Sequence, residues 1–219
     1  MTEVNSAVLE GPTPEAATTD APPPKKSKPA PEIGIMLDLE TGGTGPNSVV
    51  TQCALIAFDL TDPDNRLRTI DEYLPIQPQI ELGRRIDADT MFWWMDQEPA
   101  AKNRLKMSGG NDMVELEALT RGIVRKFNQI TDDNRIPYEL WCRGPHFDVT
   151  ILSTLLVACG QEIPWVYDTP RDLRTLMALA GLSSDEVSRS GLTPHVAVDD
   201  CKFQIRCYTE AMKRLRARN

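Results

Sequence analysis

The feature that most constrains this chain is a strand-length segment in which large apolar residues alternate with other residues and which ends with two acidic residues. Residues 33–40 read IGIMLDLE, with isoleucine or leucine at every odd position. Because side chains on a β-strand alternate between its two faces, Asp38 and Glu40 emerge on the same face, one step apart. The run therefore predicts a strand that directs two carboxylates out of a hydrophobic framework. By itself, such a pair is also compatible with the edge of an ordinary core.

A third acid lies within an apolar segment. Residues 147–160 read FDVTILSTLLVACG, which predicts an apolar helix that ends at a glycine. Asp148 lies at its start, in line with Leu152, Leu155 and Leu156 on the stripe predicted to be buried. A second interpretation stays open, in which Asp148 caps the free backbone amides of the helix and complements its dipole.

The last predicted helix begins between a histidine and a pair of acids. His195 lies in the entry loop, and Asp200 lies about one turn into a helix predicted for about 196–216. We prefer Asp200 to Asp199 as a site residue because Gln204 follows it at helical spacing on the inner side. For His195, a surface or capping role is the alternative to a role in a site.

Four carboxylates that leave a hydrophobic framework need an explanation. Two unit charges about 4 Å apart repel each other by about 4 kcal/mol at an effective dielectric constant typical of protein surfaces. Whole domains are stable by only about 5–15 kcal/mol. Convergence of such groups is therefore tolerated only if they are protonated, solvated or neutralised, and we expect divalent cations among them.

Composition bounds the domain organisation. With 219 residues and 41% apolar content, the chain is long enough for one sizeable domain. Residues 1–31 hold seven of the 17 prolines and are predicted to form a disordered tail, which leaves residues 32–219 as the folded domain. The net charge of −8 argues against a protein that coats long nucleic acid by charge alone.

Other sequence features predict a cytoplasmic protein that has no membrane segment. The N-terminus lacks the basic start and apolar block of a secretory signal, and no apolar run reaches membrane-spanning length. The five cysteines are odd in number and form no CxxC pair, which favours reduced thiols over disulfides or a zinc site.

The order of the predicted elements indicates an α/β fold. Three strands come first, at residues 33–40, 49–60 and 68–76, joined by short turns. The later elements are helices near 90–97, 99–107 and 113–130, a strand at 138–144, the helix of 147–160, and an extended piece with a helix within 169–181, before the last helix. This order predicts a mixed sheet that opens with an antiparallel meander and is flanked by helices.

Together these segments resemble the DEDDh branch of the DnaQ-like 3′-to-5′ exonucleases, which have a ribonuclease H-like fold. The first motif matches as Asp38-Leu39-Glu40-Thr41-Gly42, the second as Phe147-Asp148 with Leu152, and the third as His195 followed by Asp200. The resemblance covers about residues 33–215. The segments TMFWWMDQ and PWVYDTPRDLRTL look like the phage and bacterial exonuclease VIII-like, exoribonuclease-like subgroup.

The resemblance implies a fold, an activity and a set of roles. The fold would be a five-stranded mixed sheet, and the activity would release nucleoside 5′-monophosphates from the 3′ end of DNA or RNA. The four acids would bind two Mg²⁺ or Mn²⁺ ions, and His195 would take a proton from the attacking water. The residues expected to contact the terminal nucleotide are Leu39, Thr41, Gly42 and Phe147. The expected partner is single-stranded or 3′-overhanging nucleic acid.

Two details of the sequence qualify this interpretation. Many relatives carry an asparagine shortly before Phe-Asp, where this chain reads Arg143-Gly144-Pro145-His146. The adjacent Trp93 and Trp94 cannot share one helix face, so we expect one in the core and one at the rim of the site.

The alternatives to an exonuclease are an endonuclease of the same fold and a nucleic-acid-binding module without catalysis.

Overall fold

The computed structural model describes residues 29–218. In chain order the elements are β1 (Ile33–Thr41), β2 (Val50–Asp59), β3 (Arg66–Tyr73), α1 (Ile76–Glu81), α2 (Ala88–Met95), α3 (Pro99–Leu105), α4 (Met113–Thr131), β4 (Tyr138–Cys142), α5 (Asp148–Ala158), β5 (Pro170–Asp172), α6 (Leu173–Ala180) and α7 (Ala197–Arg216). Short 3₁₀ turns lie at Lys106–Ser108 and Ser184–Glu186. Most of the predicted tail, residues 1–28, lies outside the described residues, so the tail stays a prediction.

The strands form one five-stranded sheet in the order β3-β2-β1-β4-β5. The pairs β1–β2 and β2–β3 are antiparallel, whereas β1–β4 and β4–β5 are parallel. The predicted mixed sheet with an antiparallel opening meander is therefore confirmed. Because β1 is central in the sheet, its acids lie at a position that both halves of the fold can reach.

Two hydrophobic cores cover the two faces of the sheet. The first core packs alternate side chains of β1, such as Leu37, against α4 and α5. The second core packs the intervening side chain Met36 against α6 and α7. Asp38 has the same strand parity as Met36, so its side chain points towards the face that α7 covers. The alternation read from IGIMLDLE is thus the local reason that the first two acids face the last helix.

Capping residues define the ends of two helices that support the sheet. The Asp112 side chain accepts a 2.8 Å hydrogen bond from the Val114 N–H at the start of α4. At the start of α6, the Asp172 side chain accepts a 3.1 Å hydrogen bond from the Arg174 N–H. This helix ends at Gly181, whose φ of 61° lies in the left-handed region that glycine adopts without strain.

The third strand ends earlier than the sequence indicated. Residues 74–76 were expected to continue it, but β3 stops at Tyr73 and α1 begins at Ile76. Pro75 has no N–H to donate to a strand ladder, and it is compatible with the start of a helix. The buried Gln79 side chain pairs with the backbone of Val50 in place of a longer β3, since it accepts from Val50 N at 2.8 Å and donates to Val50 O at 2.7 Å.

Within residues 29–218, no helix is both long and apolar enough to cross a bilayer.

Candidate active site

The end of β1 carries two of the acids. Glu40 is buried, and Asp38 accepts a hydrogen bond of 2.5 Å from the Gln204 side-chain amide of α7. Burial raises the pKa of Asp38 well above its usual value, and the neighbouring charges of Asp148, Glu40 and Asp200 raise it further. Burial likewise raises the pKa of Glu40, followed by the charges of Asp200 and Asp148. The carboxylates predicted on one strand face therefore lie close to the other two.

Asp148 is the first residue of α5, and only 4% of it is exposed. Its Oδ1 accepts a 3.2 Å hydrogen bond from the backbone N–H of Leu39. Burial raises the pKa of Asp148 to about 7, against the opposing effects of the Leu39 amide, its own amide and the Arg174 charge. The carboxyl group thus reaches the central strand in addition to standing at the start of its helix, which helix capping alone does not explain.

Asp200 faces the other acids, and both its oxygens have partners. Oδ1 accepts from Arg189 Nη1 at 2.5 Å, and Oδ2 accepts from the backbone N–H of His195 at 2.8 Å. Asp199 instead accepts from Thr193 N at 3.2 Å and from Lys202 Nζ at 2.8 Å. The structure therefore places Asp200, rather than Asp199, among the four acids.

His195 lies beside Glu40 and Asp200. One potential ligand atom from each of these three residues lies within 4.8 Å of the other two. The φ of His195 is 60°, in the left-handed region that non-glycine residues adopt rarely and usually under local constraint. Burial lowers the pKa of His195; the charge of Asp200 opposes this change and that of Arg189 adds to it. The imidazole is therefore neutral near pH 7, the form that can accept a proton.

A buried glutamine, which sequence reasoning missed, holds the start of α7. Gln52 lies opposite Glu40 in the β1–β2 register. Its Oε1 accepts from the Ala197 backbone N–H at 3.0 Å. Its Nε2 donates to Asp71 Oδ1 at 2.6 Å and to Tyr73 OH at 3.1 Å. A glutamine inside the apolar run VVTQCALIAF was the available signal, because buried polar side chains are almost always hydrogen-bonded.

Of the two tryptophans of α2, one lies in the core and the other at the rim of the site, as predicted. Trp94 is 3% exposed and donates its indole N–H to Thr41 O at 2.9 Å. Trp93 is 42% exposed, and its ring contacts the His195 ring edge-to-face with centroids 4.7 Å apart. Helix α2 therefore packs on the end of β1 and presents one aromatic ring beside the histidine.

The loop after β1 is tightly packed. The Thr41 hydroxyl donates to Gly43 O at 2.7 Å, and Thr44 N donates to Asp87 Oδ2 at 3.0 Å. A Cβ atom at Gly43 would lie 2.6 Å from Asp87 Oδ2 and 2.7 Å from Ser48 Oγ. Glycine at this position lets the loop turn closely around the end of the strand.

The four residues expected to contact the nucleotide lie near the acids but differ in exposure. The Leu39 side chain is 5% exposed and belongs to the first core, on the strand face opposite Asp38. Phe147 is partly buried against the same core, next to Asp148. Thr41 and Gly42 are buried at the end of β1. The substrate-binding roles of all four stay predictions.

Arg143, in the segment that precedes Phe147 and Asp148, has few polar partners. Arg143 Nη2 donates to Ser184 Oγ at 3.5 Å, whereas its Nε is buried and has no hydrogen-bond partner. Arg174 of α6 lies close to the backbone of the same segment. A Cβ atom added at Gly144 would lie only 2.7 Å from Arg174 Nη1. Two arginines, Arg143 and Arg174, therefore lie at the segment before Asp148.

The donor set fits a hard divalent cation. It offers carboxylate oxygens and one imidazole, and the pKa values of Asp38 and Glu40 are raised partly by the neighbouring carboxylates. In residues 29–218, only Arg189 forms an ion pair with one of the four acids. The Gln204 Oε1 atom next to Asp38 is buried and has no partner. The Arg189 pair and the nearby charge of Arg174, which lowers the pKa of Asp148, offset only part of this negative charge.

The sheet order agrees with the ribonuclease H-like fold that the sequence resemblance implied, and β1, α5 and α7 contribute the acids. The chain belongs to the family of the 3′-5′ exoribonuclease Rv2179c-like domain, whose family model matches residues 34–212. It is also similar to the exodeoxyribonuclease of Enterobacteria phage T4, with 29% identity over 179 residues. That match covers 77% of this chain and 65% of the phage protein.

Solved structures of exonuclease I share the fold. The product-bound form matches with a TM-score of 0.56 and 14% identity, over 86% of this chain and 45% of that chain. E. coli exonuclease I in complex with a 5cy-dT13 oligonucleotide matches with a TM-score of 0.55 and 14% identity, over 86% of this chain and 42% of that chain. The chain thus spans less than half the length of these structures and about 65% of the phage relative.

Proposed function

We propose that this protein removes nucleotides from the 3′ end of DNA or RNA by phosphodiester hydrolysis. The observation that carries the proposal is the convergence of Asp38, Glu40, Asp148 and Asp200 from three distant elements, with His195 beside two of them. Membership of an exoribonuclease domain family and similarity to a phage exodeoxyribonuclease support the same reaction. Since the two names differ in the sugar, the proposal includes both substrates.

The acids would hold Mg²⁺ or Mn²⁺, and each acid has a distinct position for this role. Two such ions would supply positive charge that activates a water molecule and stabilises the departing 3′-oxygen. Asp38 and Glu40 present oxygens from the strand, and Asp148 is held at the strand by the Leu39 N–H, which donates to its Oδ1. Asp200 is positioned by the backbone N–H of His195, which donates to its Oδ2. Side chains that are already positioned lower the conformational cost of forming the site.

His195 would act as the general base. Its imidazole takes a proton from the attacking water, whose oxygen bonds to phosphorus while the bond from phosphorus to the 3′-oxygen breaks. The products are a nucleoside 5′-monophosphate and a strand one nucleotide shorter with a new 3′-hydroxyl. The pKa of His195 is lowered chiefly by burial, which keeps the imidazole in the accepting form at neutral pH.

Unpaired 3′ ends are the proposed substrate form. Trp93 is exposed and its ring touches His195, so it lies within reach of a base at the site. Base–aromatic stacking contributes about 1–3 kcal/mol per base and is available to a base only when it is not stacked in a duplex. A single strand or a 3′ overhang therefore suits this surface better than a blunt duplex.

A labelled-strand assay tests the function. With Mn²⁺ or Mg²⁺, a 3′-labelled strand should release labelled mononucleotide at once, and a 5′-labelled strand should shorten stepwise. Asp148→Asn should abolish release, whereas Asp199→Asn, which changes an acid outside the cluster, should preserve it. Internal fragments would instead support the endonuclease, and binding of the strand without turnover would support the non-catalytic module.

A further inference from the structure

We propose that Arg189 is a built-in counter-cation of the acidic site, which stabilises the metal-free protein and competes with the divalent cation for Asp200. This inference rests on one part of the proposed function, the binding of a metal ion by the four acids, and not on the nuclease activity itself. It assigns to a residue outside the three motifs the role of setting how tightly that ion binds. The contacts of Arg189 and of the loop that carries it support this role.

The Arg189 guanidinium lies between an acid and an aromatic ring. Nη1 donates to Asp200 Oδ1 at 2.5 Å, and the central carbon lies 3.9 Å from the centroid of the Phe203 ring. Asp200 and Phe203 are three residues apart on α7, so they lie on neighbouring positions of one helix face. A cation held by both a carboxylate and a ring face is restrained more strongly than in a simple surface ion pair.

The loop that carries Arg189 is itself tied to α7. Arg206 Nη1 donates to Ser188 O at 2.9 Å and to Ser190 O at 3.1 Å, one residue on each side of Arg189. The Leu192 N–H donates to Arg189 O at 2.9 Å and closes a turn. The backbone of Arg189 is thus positioned independently of the contact between its side chain and Asp200.

Arg189 is well placed to affect cation binding because it is the basic side chain paired with the acid set. Among residues 29–218, the ion pairs of the four acids consist of Arg189–Asp200 alone. The pair offsets part of the repulsion that the remaining acids experience when no metal is bound. The positive charge of Arg189 repels a divalent cation at Asp200. The Arg189 guanidinium also competes with that cation for Asp200 Oδ1. Stabilisation of the metal-free state must therefore appear as weaker metal binding.

Calorimetric titration of the metal-free protein with Mn²⁺, together with its melting temperature, tests this role. Arg189→Gln keeps a hydrogen-bonding side chain but removes the charge, so it should lower the metal-free melting temperature and tighten Mn²⁺ binding by about tenfold, or about 1.4 kcal/mol. Arg189→Lys keeps the charge and should stay within about threefold of the wild type. Arg214→Gln, which breaks ion pairs with Glu186 and Glu210, is the matched control and should leave Mn²⁺ binding unchanged.

Unchanged or weaker Mn²⁺ binding by Arg189→Gln would overturn the proposal, since weaker binding would mean that Arg189 only orients Asp200. If Arg189→Gln does not fold, Arg206→Gln replaces it, because this change frees the loop without touching an acid. Arg206→Gln should tighten binding by about threefold, and an unchanged value then overturns the proposal. A wild type that binds Mn²⁺ but lacks nuclease activity contradicts the proposed function and leaves this inference intact. A wild type that does not bind Mn²⁺ overturns the inference.

Discussion

The backbone N–H of Leu39 donates a 3.2 Å hydrogen bond to Asp148 Oδ1, across 109 residues of sequence. The bond joins the middle of the first acidic motif to the acid of the second. It attaches the start of α5 to the central strand and holds the Asp148 carboxyl group near those of Asp38 and Glu40. The hydrogen bond therefore links two motifs that are far apart in sequence.

Replacing Asp148 with asparagine should separate activity from stability. The amide keeps an oxygen that can accept from Leu39 N–H, but it removes one negative charge from the crowded site. We expect turnover to fall more than about a hundredfold, because metal sites lose about 10–100-fold even when an outer partner of a ligand is removed. The melting temperature of the metal-free protein should rise. Steady-state assay and thermal unfolding in chelator measure the two effects, and wild-type-like activity would refute the assigned role of Asp148.

The stability of the metal-free protein should depend on pH with a definite sign. Burial raises the pKa of folded Asp148 to about 7, from an ordinary value of 3.8. For a group with a raised pKa, the stabilising contribution is complete below about pH 4 and is lost as the pH rises through about 7. This group therefore lowers stability by up to about 1.4 kcal/mol per pH unit within that window. Asp38 and Glu40, whose pKa values are raised too, act in the same direction.

Chemical denaturation in chelator between pH 5 and about 8 tests this dependence through the difference between wild type and Asp148→Asn. Wild type should lose stability relative to the variant as the pH rises. Saturating Mn²⁺ should remove the difference in slope, because the ion neutralises the same charges. A constant difference across the pH range would contradict the raised pKa of Asp148.

Replacing His195 with alanine should reduce the rate more than metal affinity. General-base contributions are typically about 10²–10⁴-fold, and we expect a loss of turnover in that range. Mn²⁺ binding should persist, since the four acids remain. Because burial lowers the pKa of His195 below its usual 6.5, the acidic limb of kcat/KM in the wild type should lie below that pH. Calorimetry that shows lost Mn²⁺ affinity in His195→Ala would make the histidine a ligand instead of a base.

Trp93 should act mainly on substrate binding. Replacing it with alanine removes the exposed ring that lies 4.7 Å from the His195 ring centroid. We expect KM for a single strand to rise about tenfold, within the range of about 1–3 kcal/mol for base stacking, with a smaller change in kcat. Trp93→Phe should restore most of the binding. A loss confined to kcat would instead show that Trp93 only holds His195 in place.

Gln52 should be required for the position of α7 and not merely for packing. Replacing it with leucine keeps the side-chain volume but leaves the Ala197 N–H without its acceptor. Loss of a partner for a buried donor costs about 1–3 kcal/mol, so the free energy of unfolding should fall by that amount. Because α7 carries Asp200, Mn²⁺ binding should weaken as well. Equilibrium denaturation and calorimetry check both effects, and unchanged metal binding would show that α7 does not depend on this bond.

Local periodicity determined much of the architecture in advance. The alternation of residues 33–40 was sufficient to place Asp38 and Glu40 on one strand face, because the pleat fixes the direction of each side chain. The helical stripes and turn residues predicted α4, α5 and α7 to within one or two residues of their ends. The end of β3 was predicted wrongly, because the Gln79 side chain that replaces the strand pairing is a contact between distant residues.

What the sequence by itself determined is the set of chemical groups and the faces on which they stand: two acids on a strand, one at the start of a helix and one near the start of another. Motif resemblance indicated that they meet, but only the tertiary structure shows how. The bonds that fix the site join Leu39 to Asp148 and Gln52 to Ala197, and the contact between Trp93 and His195 completes it. None of these pairs has a periodic signature, because packing of distant segments decides which polar groups become neighbours.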